Sequence, residues 1–164
     1  MRLHTTLIVL FLFVMPIARA DSEIERASLC GLKGVRVQID ARILSSAAKE
    51  AVFDIVTIQN DVELKLRLAG IKVLTKDELP SEPGRPYLHV LIVATGRIVL
   101  EIDCELMQDV QLIRDPRFSI SAPTWARAET VSVDAKVFNQ HARDGVKDLT
   151  DQFINAYLSV NPKK

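Results

Sequence analysis

Between Ile98 and Leu106 every second residue is apolar: Ile98, Leu100, Ile102, Cys104 and Leu106. Glu101, Asp103 and Glu105 stand between them. A period of two is that of a strand with one face in the core and one in water. Val35, Val37, Ile39 and Ala41 alternate in the same way with Arg36, Gln38, Asp40 and Arg42. The run YLHVLIVAT (87–95) has almost no polar side and reads as a strand that is apolar on both faces. IKVLT (71–75) is a short strand and TWARAETVSV (124–133) a last one.

Helical spacing appears twice. Ile55, Ile58, Val62, Leu66 and Ala69 form one apolar stripe, so 44–69 reads as helix, most clearly in its second half, with Gly70 as C-cap. Asp61 to Lys65 and Glu63 to Arg67 have the spacing of helix ion pairs. Val146, Leu149, Phe153 and Ala156 or Tyr157 form the stripe of a closing helix, with Asp134 as its N-cap and Asn161-Pro162 as its end. KDELPSEPGRP and RDPRFSISAP (114–123) read as loops because of their prolines. The order is strand, helix, four strands, helix. It predicts an α+β two-layer sandwich: a mainly antiparallel sheet of about 4–5 strands with two helices on one face (β-α-β-β-β-β-α). The open face should carry Arg36, Gln38, Glu101, Asp103 and Glu105.

What faces the carboxylates depends on the turn near Gly96. A two-residue turn sets Val90 against Asp103. A three-residue loop sets Leu88, Val90 and Ile92 against Cys104, Ile102 and Leu100, and brings His89 beside Asp103, Tyr87 beside Glu105 and Leu91 beside Glu101. A change of parity turns every side chain to the other face. Gly96 favours the first form; matching polar with polar across the strands favours the second, which is adopted here.

The N-terminus changes the picture of where the chain acts. Arg2, the apolar run Leu7–Met15, Pro16 and Ala18-Arg19-Ala20 form the pattern of a secretory signal peptide (1–20), cut between Ala20 and Asp21. Nine apolar residues are too few to span a bilayer, which takes about 20. Residues 21–33 then form a polar lead-in to a single domain over 34–160. Leu29 before Cys30 departs from a lipidation box. The exported chain has 144 residues (164 less 20), with 19 Lys and Arg against 21 Asp and Glu, a net charge of −2. Such a balance disfavours nucleic acid, which is bound through Lys and Arg on phosphates. No transmembrane segment follows the leader, and localisation is expected to be periplasmic or secreted.

Cys30 and Cys104 have 73 residues between them. A disulfide there would stabilise by about 4 kcal/mol in the chain-entropy picture; the alternative is an inert core thiol at Cys104. Neither GxSxG, HExxH nor a P-loop occurs, and no cofactor or metal is expected. His141 reads as a surface residue and Trp125 as a core anchor.

Three segments, CGLKGVRVQID, DVELKLRLAGIKVL and DQFINAYLSVNP, together resemble a group of exported bacterial proteins of unknown function. In segment order the chain is also similar to small α/β modules of the bacterial envelope. The N-terminal domain of the Tol-Pal translocation protein and the lipopolysaccharide-assembly lipoprotein are examples. The resemblance implies a partner-binding role without catalysis. The expectation is therefore a non-enzymatic exported binding or assembly module whose partner is an envelope protein or lipid. It would use the open face at Tyr87, His89, Glu101, Asp103 and Glu105, or a strand edge. A carrier of an apolar ligand, with strand 87–95 lining the groove, and a hydrolase with a dispersed catalytic set are the rival readings.

Overall fold

The computed structural model of the protein describes residues 22–44, 52–96 and 99–162. The leader and Asp21, residues 45–51 of the first helical segment, Arg97 of the turn and Ile98, the first of the alternating row, lie outside the described residues. Strands β1 (Gly34–Ile43), β2 (Lys72–Val73), β3 (Tyr87–Thr95), β4 (Val99–Leu112) and β5 (Asp115–Ser132) form one sheet in the order β2-β1-β3-β4-β5. The α+β layout and the order of elements are those the periodicity predicts. The sheet is mixed: β1 runs parallel to both β2 and β3, while β3–β4 and β4–β5 are antiparallel.

Helices α2 (Ile55–Leu68) and α3 (Phe138–Val160) cover one face. Ile58, Val62 and Leu66 are the buried side of α2. Val146, Leu149, Phe153 and Ala156, with Phe138 and Ala142, are that of α3. They meet Val35, Val37, Leu88, Val90, Ile92, Leu100, Ile102, Cys104 and Leu106 in one core. Asp134 caps a 3-10 turn at Ala135–Val137 through the Lys136 amide; Val137, not Asp134, precedes α3.

Of the two ion pairs expected within α2, Glu63–Arg67 forms at 2.7 Å. Asp61 turns instead to α3, meeting Arg143 at 2.6 Å and Lys147 at 3.4 Å, and Lys65 meets Asp151. The helices thus lie side by side with their charges interlocked, each pair worth about 0–1 kcal/mol at this exposure.

Two segments depart from expectation. Within the expected loose lead-in (21–33), the described residues 22–33 are ordered: Ser22 caps a short helix, α1 (Glu23–Ala27), in a reciprocal capping box, and Leu29 is fully buried. The end of α3 ties this segment down. Asn161 accepts from the Gly31 amide at 2.8 Å and donates to the Leu29 carbonyl at 2.9 Å; the Tyr157 hydroxyl donates to the Leu32 carbonyl.

Residues 114–123 are not a loop either. From Asp115 on they belong to β5, with Arg114 in the turn before it, and β5 pairs with β4 well past the point where β3 begins, at Tyr87↔Met107. A bulge leaves Thr124 unopposed between Leu106↔Trp125 and Met107↔Pro123. Beyond it the two strands form a ribbon. Val110 opposes Ile120, so their apolar row continues the helix-side face, where Phe118 is 58% and Ile120 51% exposed.

Gly145 has a packing role in α3. A Cβ there would stand 2.5 Å from Cδ1 of the buried Ile102 and 3.1 Å from Oε2 of Glu129. The missing side chain lets α3 approach β4 and β5 closely.

Candidate functional site

The period-two pattern places polar rows opposite the helices. Across the open face the register aligns Gln38, His89, Glu105 and Ala126 in one row, and Asp40, Leu91, Asp103 and Ala128 in the next. Arg36, Tyr87 and Met107 form the row on one side; Arg42, Val93, Glu101 and Thr130 form the row on the other. Tyr87, His89, Glu101, Asp103 and Glu105 therefore share one face.

Their neighbours differ from the expected ones. The even parity is right, but Thr95 pairs with Val99, two residues beyond the predicted match. His89 faces Glu105, Leu91 faces Asp103, Val93 faces Glu101 and Tyr87 faces Met107. The expected cross-strand pairs His89–Asp103, Tyr87–Glu105 and Leu91–Glu101 are not formed. Matching polar groups on β4 alone overlooked β1, which supplies the partner of His89: its Nε2 lies 2.9 Å from Oδ2 of Asp40. Gln38 donates to the same oxygen at 3.1 Å. These two contacts, Gln38 first, hold the Asp40 carboxyl below its ordinary value.

Asp103 goes the other way. Partial burial raises its pKa, and Glu101 and Glu105 raise it further, against a smaller opposing effect of His89. Same-face residues on a strand repeat about every 6.6–6.8 Å, so repulsion reaches Asp103 from both sides. A folded-state pKa above the unfolded one means that the folded state holds more protons in that interval, so stability falls as pH rises through it. Asp103→Asn is accordingly expected to raise Tm at neutral pH, with the gain shrinking as the pH falls through the raised folded-state value and gone below the ordinary carboxylate range; thermal melts of both proteins across pH 3–8 check this.

Beyond Tyr87 the face ends in an open cleft of about 220 Å³ lined by Leu79, Arg85, Tyr87, Asp109 and Ser121. Arg85 pairs with Asp109 from a left-handed backbone position (φ 42°), and the Asp109 amide donates to the Gly84 carbonyl at 2.7 Å. A second groove, about 440 Å³, lies near the ribbon tip between Leu112, Arg114, Asp115, Phe118 and Ile120. Sequence reasoning missed Asp40, Arg85 and the ribbon. The alternation of Val110 and Leu112, and of Phe118 and Ile120, was the available signal for the last.

The remaining candidates are dispersed. Cys30 is an exposed free thiol and Cys104 a buried one, so the candidate disulfide is not formed; burial pushes the Cys104 thiol up to about 12. His141 is exposed on α3. Trp125 is in the core, edge-on to Phe153 at 5.3 Å, with the Arg127 guanidinium 4.8 Å from its ring centre. Among the described residues no three His, Cys, Asp or Glu side chains converge as a metal site, and no helix is long and apolar enough to cross a membrane. No protein-family model and no curated protein sequence matches the chain.

Proposed function

We propose that the protein is an exported, non-enzymatic binding or assembly module whose contact surface is the open sheet face. The observation that carries this reading is the composition of that face. Tyr87, Leu91 and the largely buried Val93 give β3 an apolar character opposite the helical layer, with His89 between the first two. Arg36 and Arg42, with Gln38 and Asp40 between them, border it on β1, and Glu101, Asp103 and Glu105 on β4. Apolar groups between a mixed charged rim and an acidic one are how binding surfaces combine desolvation at the centre with orientation at the edge. A purely solvated sheet face has no need of them. The reading takes the partner to be an envelope protein, and export rests on the leader pattern.

A photo-crosslinking residue placed at Asp103 of the exported protein tests this in cells. A discrete protein adduct is expected there, none from the exposed Asn155 position on α3, and loss of the Asp103 adduct when Leu91→Arg is added. A folded protein that gives no adduct from Asp103 retires the open face as a contact surface.

A further inference from the structure

The last strand of the sheet has a partner on one side only. Among the described residues β5 pairs with β4 and with no other strand, although it is 18 residues long. Long unpaired edges are templates for another strand, and soluble proteins blunt or fill them. On β5 Pro116 and Pro123 fall in the ribbon and at the bulge, which leaves residues 124–132 free of proline. We propose that this edge pairs with the same edge of a second copy, antiparallel about a twofold axis through Ala128, to give a homodimer with one continuous ten-stranded sheet. The proposal is independent of the open face's partner.

Three observations select this occupant and this register. The first is charge. Arg127 and Glu129 are the only charged residues in 124–132, one on each side of Ala128. With the axis at Ala128, Arg127 of each copy opposes Glu129 of the other. An axis at Arg127 or Glu129 sets like charges against each other, and the axes next further out leave both charges opposite apolar side chains. Opposite charges directly across an antiparallel pair stabilise, and like charges there do the reverse. Arg127 is only 7% exposed, meets Glu25 at 3.2 Å and bonds the Ala126 carbonyl, so the cross-copy pair requires its guanidinium to turn outward from the Trp125 ring toward the second copy's carboxylate.

The second observation is the small side chains on the open-face side. Ala126, Ala128 and Thr130 occupy it, so the two open faces join without a bulky ridge at the seam.

The third is apolar exposure. In this register residues 116–122 run on past residues 134–140 of the second copy, the turn after its β5 and the start of its α3. The ribbon's Phe118 and Ile120 are 58% and 51% exposed on the helix side. Val137, in the turn before α3, is 43% exposed. The symmetry that pairs the edges therefore brings exposed apolar groups of both copies to the same place, twice. A self-complementary patch of this kind closes as a twofold dimer.

Single-cysteine variants on a Cys30→Ala background read the register directly. Opposed residues of an antiparallel pair have Cα atoms about 4.5–5.5 Å apart, within the span of a disulfide. Ala128→Cys lies on the axis and is expected to form a covalent dimer under mild oxidation. Ala126→Cys positions would be four residues apart, about 13.6 Å, and are expected to stay unlinked. Sedimentation equilibrium should show a reversible dimer for the unmodified chain, and Glu129→Lys should weaken it about tenfold. Linkage from position 126 in place of 128 overturns this register. A chain that is folded by circular dichroism and monomeric across the concentration series overturns the dimer.

Discussion

Trp125→Ala is expected to lower the free energy of unfolding by about 3–5 kcal/mol, the range for truncating a large buried aromatic side chain. For a domain of this size that is a fall in Tm of roughly 10–20 °C. Trp125 sits where four features meet. It is the β5 residue beside the bulge, pairs with Leu106, packs edge-on against Phe153 of α3, and carries the Arg127 guanidinium on its ring. Truncation leaves a void under α3 and uncovers a cation that is only 7% exposed. Trp125→Phe separates packing from polarity. The indole Nε1 is buried without a hydrogen-bond partner among the described residues. An unsatisfied buried donor costs about 1–3 kcal/mol, so removing it offsets part of the lost volume. The Phe variant should lose less than half of what the Ala variant loses, as read from urea unfolding with unchanged m-values.

Gly145→Ala should destabilise, against the usual sign for a helix. In an exposed helix interior the change gains up to about 1 kcal/mol. Here the new methyl meets Glu129 Oε2 at 3.1 Å, which can swing away, and Ile102 Cδ1 at 2.5 Å, which is fully buried and has to move within the core. Overpacking of this kind costs about 1–3 kcal/mol and outweighs the propensity gain. Ile102→Val deletes the clashing atom. Alone it costs about 0.5–1.5 kcal/mol; combined with Gly145→Ala it should restore stability relative to Gly145→Ala alone. Contacting residues that share a space are the pairs for which additivity fails. A double variant whose loss equals the sum of the two single losses would show that α3 does not rest on Ile102 as described.

Local periodicity carried most of the fold. β1, β4 and the stripes of α2 and α3 were legible because each depends on side-chain spacing within one segment, and the face that holds Tyr87, His89, Glu101, Asp103 and Glu105 follows from parity alone. The register did not follow. Thr95 and Val99 are the last matched pair of the β3–β4 hairpin, which leaves three residues between the strands and shifts every partner by two from the polar-matching solution. The partner of His89 is Asp40, 49 residues away on a parallel strand, and no hairpin argument reaches it. The ribbon was hidden by Pro116, Pro123 and the serines, which mark loops on average but are tolerated where a strand has a free edge or a bulge. The lead-in was misread because its polar composition outweighed one residue, Leu29, which Asn161 holds through its carbonyl while its side chain fills the core.

The central claim is that the open sheet face is covered by a partner in the cell. Cysteine labelling measures this most directly. Glu101→Cys is placed on the Cys30→Ala background, where the buried Cys104 is the remaining thiol, and compared with Gln152→Cys on the exposed side of α3. In the purified protein both positions should react with a maleimide at similar rates. In intact cells permeable to the reagent at the envelope, position 101 should be protected while position 152 still reacts. Equal labelling of the two positions in cells would contradict the account and leave the acidic row as the solvated side of a sheet.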